Sequence, residues 1–407
     1  MLARVEAQPP AAAAVRAEHG ELEVLLRWRT AGPDPAERTL RCGFAPPRGP
    51  LDPPRLVAVR LPDGEPLGGA ALVLLETVLL DRPALRPAAA PAARPPPAAL
   101  LLQQAINGAA VAAAYTLLAL AFTLVWSLTG RLHLAMGDLA GLAAAAALVA
   151  VVGLSGTLGL PLALAVPLAA FLAASTAALA SGWSGSGAAR RIWTVPGLAP
   201  LVATLGFSLV LREGLRLATG ARERWLPPLL AEPAWRLEVE GFEVIASRRQ
   251  VAIVLGALFT WAAIHHLLAR TALGRALRAA ADDPGMVALS GVDPDRLRVH
   301  CLALAGAAAG VAGTILLLAF GTLGPEAGFL LGLKGLTAAI LGGLGSVHGA
   351  ALGGLLIGAL ETGWTAVLGG TWRDVATFAV LALVLLLRPH GLLARPLPER
   401  NDRFGPG

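Results

Sequence analysis

Asp138, Lys334 and Glu361 each interrupt a run of apolar and small residues, in MGDLAGLAAAAALVAVV, GFLLGLKGLTAAILGG and LLIGALETGW. A charge placed in such a run costs about 2.5–3.5 kcal/mol on membrane-insertion scales, so each needs an opposite charge or a water-filled cavity. Laying GRLHLAMGDLAGLAAA over GFLLGLKGLTAAILGG puts Asp138 and Lys334 at similar places in what reads as two internal repeats. Related halves with polar groups between them are how membrane bundles build a passage, so these two charges are expected to meet and to be energetically coupled. The competing reading sends each charge separately along an interface toward water. Glu361, near the end of its run, reads as structural, and His133 and His348 read as loop residues with no second ligand at metal spacing.

Two further clusters carry information. Gly342, Gly343, Gly345, Gly349, Gly353, Gly354 and Gly358 recur at spacings that gather small residues on one helix face, where backbones approach closely and bend. Helix packing and the lining of a passage both use such a face, and the spacing leaves both open. The stretch RTALGRALRAAADDPGMVALSGVDPDRLRVH, 270–300, is too polar for a bilayer and is patterned as a short amphipathic helix over 274–281 followed by Asp-Pro turns. It reads either as a solvated loop or as a handle for another protein.

Enzyme chemistry finds no footing. The chain has no GxxxxGK[ST] loop to cradle a nucleotide phosphate, and no G-x-S-x-G, H-E-x-x-H or C-x-x-C constellation. Cys42 and Cys301 lie far apart and suggest neither a disulfide framework nor a metal site. Neither catalysis nor a bound cofactor is expected of the chain itself.

The elements that must hold these residues follow from composition. Of 407 residues, 56% are hydrophobic and only 15% charged, and the apolar residues come in long runs. That is the composition of an all-α integral membrane protein. Runs at 101–128, 132–153, 157–180, 197–219, 249–269, 297–322, 327–346, 350–368 and 373–387 predict eight or nine crossings, the second and seventh admitting a broken or re-entrant path. Residues 1–97 differ: GELEVLLRWRT, RLVAVRLPDGEPLGG and AALVLLETVLL alternate in part and read as strands of a small soluble domain. The Pro/Ala-rich stretch 82–97 reads as its linker to a membrane domain spanning 98–395, with a tail at 396–407. The first twenty residues lack an apolar segment of secretory type, so insertion is expected to use the internal helices.

The net charge of +6 comes almost wholly from arginine, lysine being nearly absent, and no basic stripe interleaved with aromatics suggests nucleic acid. Arginines in short loops mark the cytoplasmic side. Arg190 and Arg191, the cluster from Arg270 to Arg298, and Arg388 with Arg395 place those loops and the C-terminus inside, and the 220–250 segment outside. The side of residues 1–97 stays open: it is outside if 132–153 crosses fully, inside if that run is re-entrant.

The loop bearing Gly274, Arg275, Arg278, Ala279, Asp282, Ala288, Gly291 and Asp295 resembles the coupling segment, about 271–298, of the branched-chain amino acid permeases of ABC transporters, a family that includes urea permeases. The resemblance continues through PEAGFLLGLKGLTAAILGGLGSVHGAALGGLLIGALE, 325–361, RPHGLL, 388–393, and 101–141, so it covers roughly 101–396 and leaves 1–97 outside. After the first helix the family usually reads Asn-Phe-Ala-His-Gly-Glu, and this chain has His133-Leu134-Ala135-Met136-Gly137-Asp138. The resemblance implies one permease subunit of an inner-membrane importer. Its partners would be a second homologous permease, two cytoplasmic ATPases that bind the ATP, an extracytoplasmic solute-binding protein and membrane lipid. It also implies that Gly274, Arg275, Arg278, Asp282 and Gly291 engage the ATPase; the two charges Asp138 and Lys334, with Gly342, Gly343 and Gly345, are the residues expected along the solute pathway. A urea, amide or sugar permease of the same build is the alternative, followed by a stand-alone carrier or channel.

Overall fold

The computed structural model describes the backbone of residues 14–18, 21–29, 37–45 and 55–60, and then residues 96–195, 197–226, 229–230, 232–324 and 326–393. The chain divides into two compact units, Met1–Pro95 and Pro96–Gly407.

The first unit carries an antiparallel sheet of β1 (Ala14–Glu18), β2 (Glu21–Arg29), β3 (Glu37–Ala45) and β4 (Arg55–Arg60), paired in sequence order. The expected strands at 20–30 and 55–69 correspond to β2 and β4. The intervening partner β3 and the edge strand β1 were not anticipated, because arginines and glutamates blur their alternation. The expected strand at 70–80, most of the linker and the tail at 396–407 lie outside the described residues.

The second unit is helical. Its centre is α1 (Pro97–Thr129), 33 residues long, about 50 Å at 1.5 Å per residue. Its middle is apolar on every side and buried on every side, from Ala112 to Val125 nearly without exception. Around it stand α2 (Met136–Val152), which continues as a π-turn to Thr157, α3 (Leu162–Ser184), the short α4 (Arg190–Thr194), α5 (Ala199–Thr219) and α6 (Arg248–Arg270). Two short helices, α7 (Ala272–Asp282) and α8 (Pro284–Leu289), precede α9 (Pro294–Phe320), α10 (Ala327–Gly342), α11 (Val347–Leu368) and α12 (Arg373–Leu387).

Each of the nine apolar runs is a helix, with ends close to those expected. Six of them among the described residues are long and apolar enough to cross a membrane: α1, α2 with its π-turn, α3, α6, α9 and α11. The others fall short for separate reasons. α10 has 16 residues, about 24 Å against a hydrocarbon core of about 30 Å, and α12 has 15. α5 carries Arg212, Glu213 and Arg216 in its second half.

The seventh run is a continuous helix, and its glycine-rich end forms the link to the eighth. Gly343 and Gly345 adopt φ of +103° and +92°, a region that side-chain-bearing residues avoid, and Ser346 then caps α11 by accepting from the Gly349 N–H. The RPHGLL segment closes this break from outside. Leu392 and Leu393 donate their N–H groups to the carbonyls of Leu341 and Gly342, at 2.9 Å each, satisfying acceptors that the end of α10 leaves free. Beyond α5 the chain forms a hairpin, β6 (Pro233–Val239) with β7 (Phe242–Ser247), after a two-residue strand, β5 (Arg224–Trp225). β5 pairs with β8 (Thr322–Leu323), tying the exits of α5 and α9 together.

Candidate functional site

Lys334 is 1% exposed, in the middle of α10. Its ammonium lies 2.9 Å from Glu361 Oε1 on α11 and 2.7 Å from Asp374 Oδ1 at the start of α12. Arg373 reaches the same two oxygens at 3.2 and 3.6 Å. The hydroxyl of Tyr115, on α1, donates to Glu361 Oε2 at 2.6 Å. Two cations and two carboxylates thus balance in charge, with a phenol on the second oxygen of Glu361; Asp374 Oδ1 is held by charge alone, without an aligned hydrogen bond among the described residues. That balance is what makes burial tolerable, since removing one member of a buried ion pair typically costs about 3–5 kcal/mol. Glu361, read from sequence as a structural acid, is therefore Lys334's direct partner.

The expected pairing of Asp138 with Lys334 does not form. Asp138, 4% exposed at the start of α2, instead accepts a hydrogen bond from Ser208 Oγ on α5 and stands 3.5 Å from Arg212 Nε. Helix rotation gives the reason. α2 and α10 do meet, but through glycine: a Cβ on Gly137 would enter the Gly328 carbonyl and the Gly332 backbone. With Gly332 facing α2, Lys334 lies about 200° further round α10 and points away, toward α11 and α12. The repeat-like overlay places the two residues at one crossing and leaves their side chains on different sides of it.

Between α2, α9 and α10, under the β5–β8 tie, lies a cavity of about 740 Å³. Small-molecule sites typically occupy about 300–1,000 Å³. Lys334 and Arg373 edge into it from one side and Arg212 from another. Arg212 stacks over the Phe329 ring, 4.3 Å from its centroid, and its Nε and Nη2 are buried without a hydrogen-bond partner among the described residues. Its approach to Asp138 is a contact of charges, not an aligned hydrogen bond. Arg212, Ser208, Tyr115, Arg373 and Asp374 were not singled out from sequence. The visible signal was three charges inside the run 197–219 and two opening 373–387.

The remaining expected site residues divide by location. Gly342, Gly343 and Gly345 do not line the cavity: Gly342 packs against Gly349 where α10 and α11 cross, and the other two make the break. Gly353 continues that crossing against Ala338, whereas Gly354 and Gly358 turn to α1, meeting Thr116 and Ala112. The glycines therefore serve two faces of α11. His133 is fully buried, with Nε2 3.2 Å from Ser184 Oγ and its ring against Trp193 and Phe207, so it is a packed residue of the α1–α2 connection. His348 is exposed and stacks edge-on against His265.

At the opposite end of α9 from the cavity, α7 extends slightly beyond the expected 274–281. Thr271 caps it, accepting from the Gly274 N–H at 3.1 Å. Gly274, Leu277 and Ala280 are buried, and Arg275, Arg278 and Asp282 are exposed. A Cβ on Gly274 would strike the carbonyls of Leu267 and Leu268, so α7 lies directly against the end of α6. Asp283 caps α8 and Asp293 caps α9, which is why Asp-Pro marks both starts. Gly291, at φ +81°, makes the turn between them.

Residues 104–387 match the family model described as the branched-chain amino acid transport system, permease component. The chain is 34% identical over 300 residues to the high-affinity branched-chain amino acid transport system permease protein BraD of Pseudomonas aeruginosa, covering 73% of this chain and 97% of that protein. It is 33% identical over 299 residues to the permease protein LivH of Escherichia coli and to that of Salmonella typhimurium, covering 73% of this chain and 96% of each. No solved structure matches. A family match spanning most of the chain and relatives matched over almost their whole length establish that the chain belongs to the family of branched-chain amino acid transport permease components.

Proposed function

We propose that the chain is a membrane-spanning permease subunit of an ATP-driven importer of branched-chain amino acids or similar small polar solutes, seated in the inner membrane with its C-terminus in the cytoplasm. The ATP would be bound by two separate ATPase subunits docked on residues 271–298. A second homologous permease would complete the passage, and an extracytoplasmic binding protein would deliver the solute. The helices too short or too charged to cross alone, α5, α10 and α12, would complete eight or nine membrane segments within the assembly, buried against their neighbours.

The observation that carries this reading is α7. It is an amphipathic helix with a buried face seated on the end of α6 and an exposed face bearing Arg275 and Arg278, one turn apart. A push on such a helix passes directly to α6 and, through α8, to the base of α9, whose far end borders the cavity. Rigid-body rocking of packed helices about a central site is the established repertoire for alternating access. In this scheme Asp138 and Lys334 hold the helices around the cavity, Gly342 lets α10 cross α11 closely, and Gly343 and Gly345 supply the break about which α10 tilts.

Replacing both Arg275 and Arg278 with Glu tests the reading. Membrane insertion is expected to stay near the parent level, while recovery of the ATPase falls and solute-stimulated ATP hydrolysis is lost. Arg191→Glu is the control, because Arg191 is exposed on the other arginine-marked loop. Its neighbour Arg190 is unsuitable, being 2.8 Å from Asp295 at the base of α9. Full ATPase association in the double variant would make residues 271–298 an ordinary loop.

A further inference from the structure

We infer that Arg212 is the solute-selecting residue of the permease itself, an anchor for the carboxylate of an amphipathic amino acid in the cavity beneath the β5–β8 tie. The inference rests on the importer reading and deepens it, because it places a selective group inside the passage in addition to whatever selection a binding protein makes.

Three features converge on Arg212. The first is supply and demand among the cations of the cavity. Lys334 and Arg373 are both engaged by Glu361 and Asp374. Among the described residues Arg212 faces one carboxylate, that of Asp138, at 3.5 Å, and Asp138 is already engaged by Ser208. Two of its nitrogens remain without a hydrogen-bond partner among the described residues. The second feature is the group itself. Its Cζ is held 4.3 Å from the Phe329 centroid, and a guanidinium is the side-chain group that grips a carboxylate with two parallel hydrogen bonds. The side chain is 22% exposed and borders the cavity, so a solute there meets Arg212, and pairing with its two buried nitrogens requires the guanidinium to turn toward the cavity.

The third feature is the rest of the wall. Glu223 and Glu326 line the same cavity, and Leu317 and Phe320 add apolar surface from the end of α9. A carboxylate, an ammonium and an aliphatic tail find complementary ground there. A neutral amide or a sugar leaves the guanidinium edge unmatched, and a site built to hydrogen-bond one group rejects the analogue lacking it. The cavity also borders the short helix α10, whose Gly328 and Gly332 touch α2 beside Asp138. A solute that drew Arg212 away from Asp138 would loosen the α2–α5 contact, so occupancy and helix position are linked.

The test places a thiol at Thr322→Cys, an exposed residue bordering the cavity, in a Cys42→Ser background within the assembled importer. Cys301 is buried and does not compete. Labelling by an anionic and by a cationic methanethiosulfonate of similar size reports the local potential, and L-leucine against L-leucinamide reports recognition of the carboxylate. With Arg212 present, the ratio of anionic to cationic rates is expected to exceed that of Arg212→Gln by about tenfold, the lower end of the effect of a focused charge in a cleft. Leucine should slow labelling, leucinamide should not, and Arg212→Gln should abolish the protection. Because Arg212→Gln leaves Asp138 buried without its partner, Asp138→Asn with Arg212→Gln is run beside it and should lose protection equally. Protection by leucine that survives in either variant, or equal protection by leucinamide, overturns the inference. Absence of protection in the parent while reconstituted leucine uptake persists overturns it alone, and absence of both removes the importer reading as well.

Discussion

At the scale of single residues, the chain contains one lysine, Lys334, every other permanent cation being arginine. That lysine is also, among the described residues, the cation enclosed most completely, 1% exposed between two carboxylates. A compact ammonium with three donors suits a site where Glu361 and Asp374 approach from different helices, and a planar guanidinium would need more room. Lys334→Met and Glu361→Gln should each destabilise the purified protein by about 3–5 kcal/mol. Combining them should cost less than the sum, with a coupling of about 0.5–3 kcal/mol in a thermal-melt cycle. Lys334→Met and Asp138→Asn should instead add. Strict additivity of the first pair would dissolve the ion network described for α10, α11 and α12. The charges themselves were legible in sequence because each broke an apolar run. Their partners were not, since a contact such as Gly137 with Gly332 sets the rotation of α10, and no spacing rule within one helix reports it.

At the scale of elements, hydrophobic runs located every long helix of the second unit, because a helix that must avoid exposing backbone to lipid has to be continuous and apolar. The break between α10 and α11 was legible from its glycines. What closes it was not: RPHGLL was legible only as a stretch of family resemblance, and its N–H groups finish the ladder of α10. Gly391 makes that closure possible, with φ of +82° and the Ile340 carbonyl where a side chain would begin. Gly391→Val should therefore lower stability by about 1–3 kcal/mol through strain alone, before any clash is counted. Gly363→Ala, inside α11 with open space around it, should be neutral or stabilising by up to about 1 kcal/mol. Equal melting temperatures for Gly391→Val and the parent would show that the segment does not cap α10. The same contrast explains α5, where sequence offered a plain span and the structure brings Arg212 from its charged half to the edge of the cavity.

At the scale of the whole molecule, the family match begins at residue 104, beyond the first compact unit, Met1–Pro95. BraD and LivH are matched over almost their whole length by the remainder of the chain. Removing residues 1–95 is therefore expected to leave membrane insertion and assembly of the helical unit at or near the parent level, measured by recovery of the complex in detergent. Loss of the complex would give the sheet a structural role. The importer reading itself is tested most directly by uptake. The chain, its partner permease and two ATPases would be reconstituted in proteoliposomes with the binding protein supplied on the outside and labelled leucine as solute. ATP enclosed in the vesicles should drive accumulation above the external concentration, and omission of ATP or of the ATPases should reduce it to the level of empty vesicles. Leucine entry that proceeds without ATP and only to equilibrium would identify a free-standing carrier or channel and contradict the account.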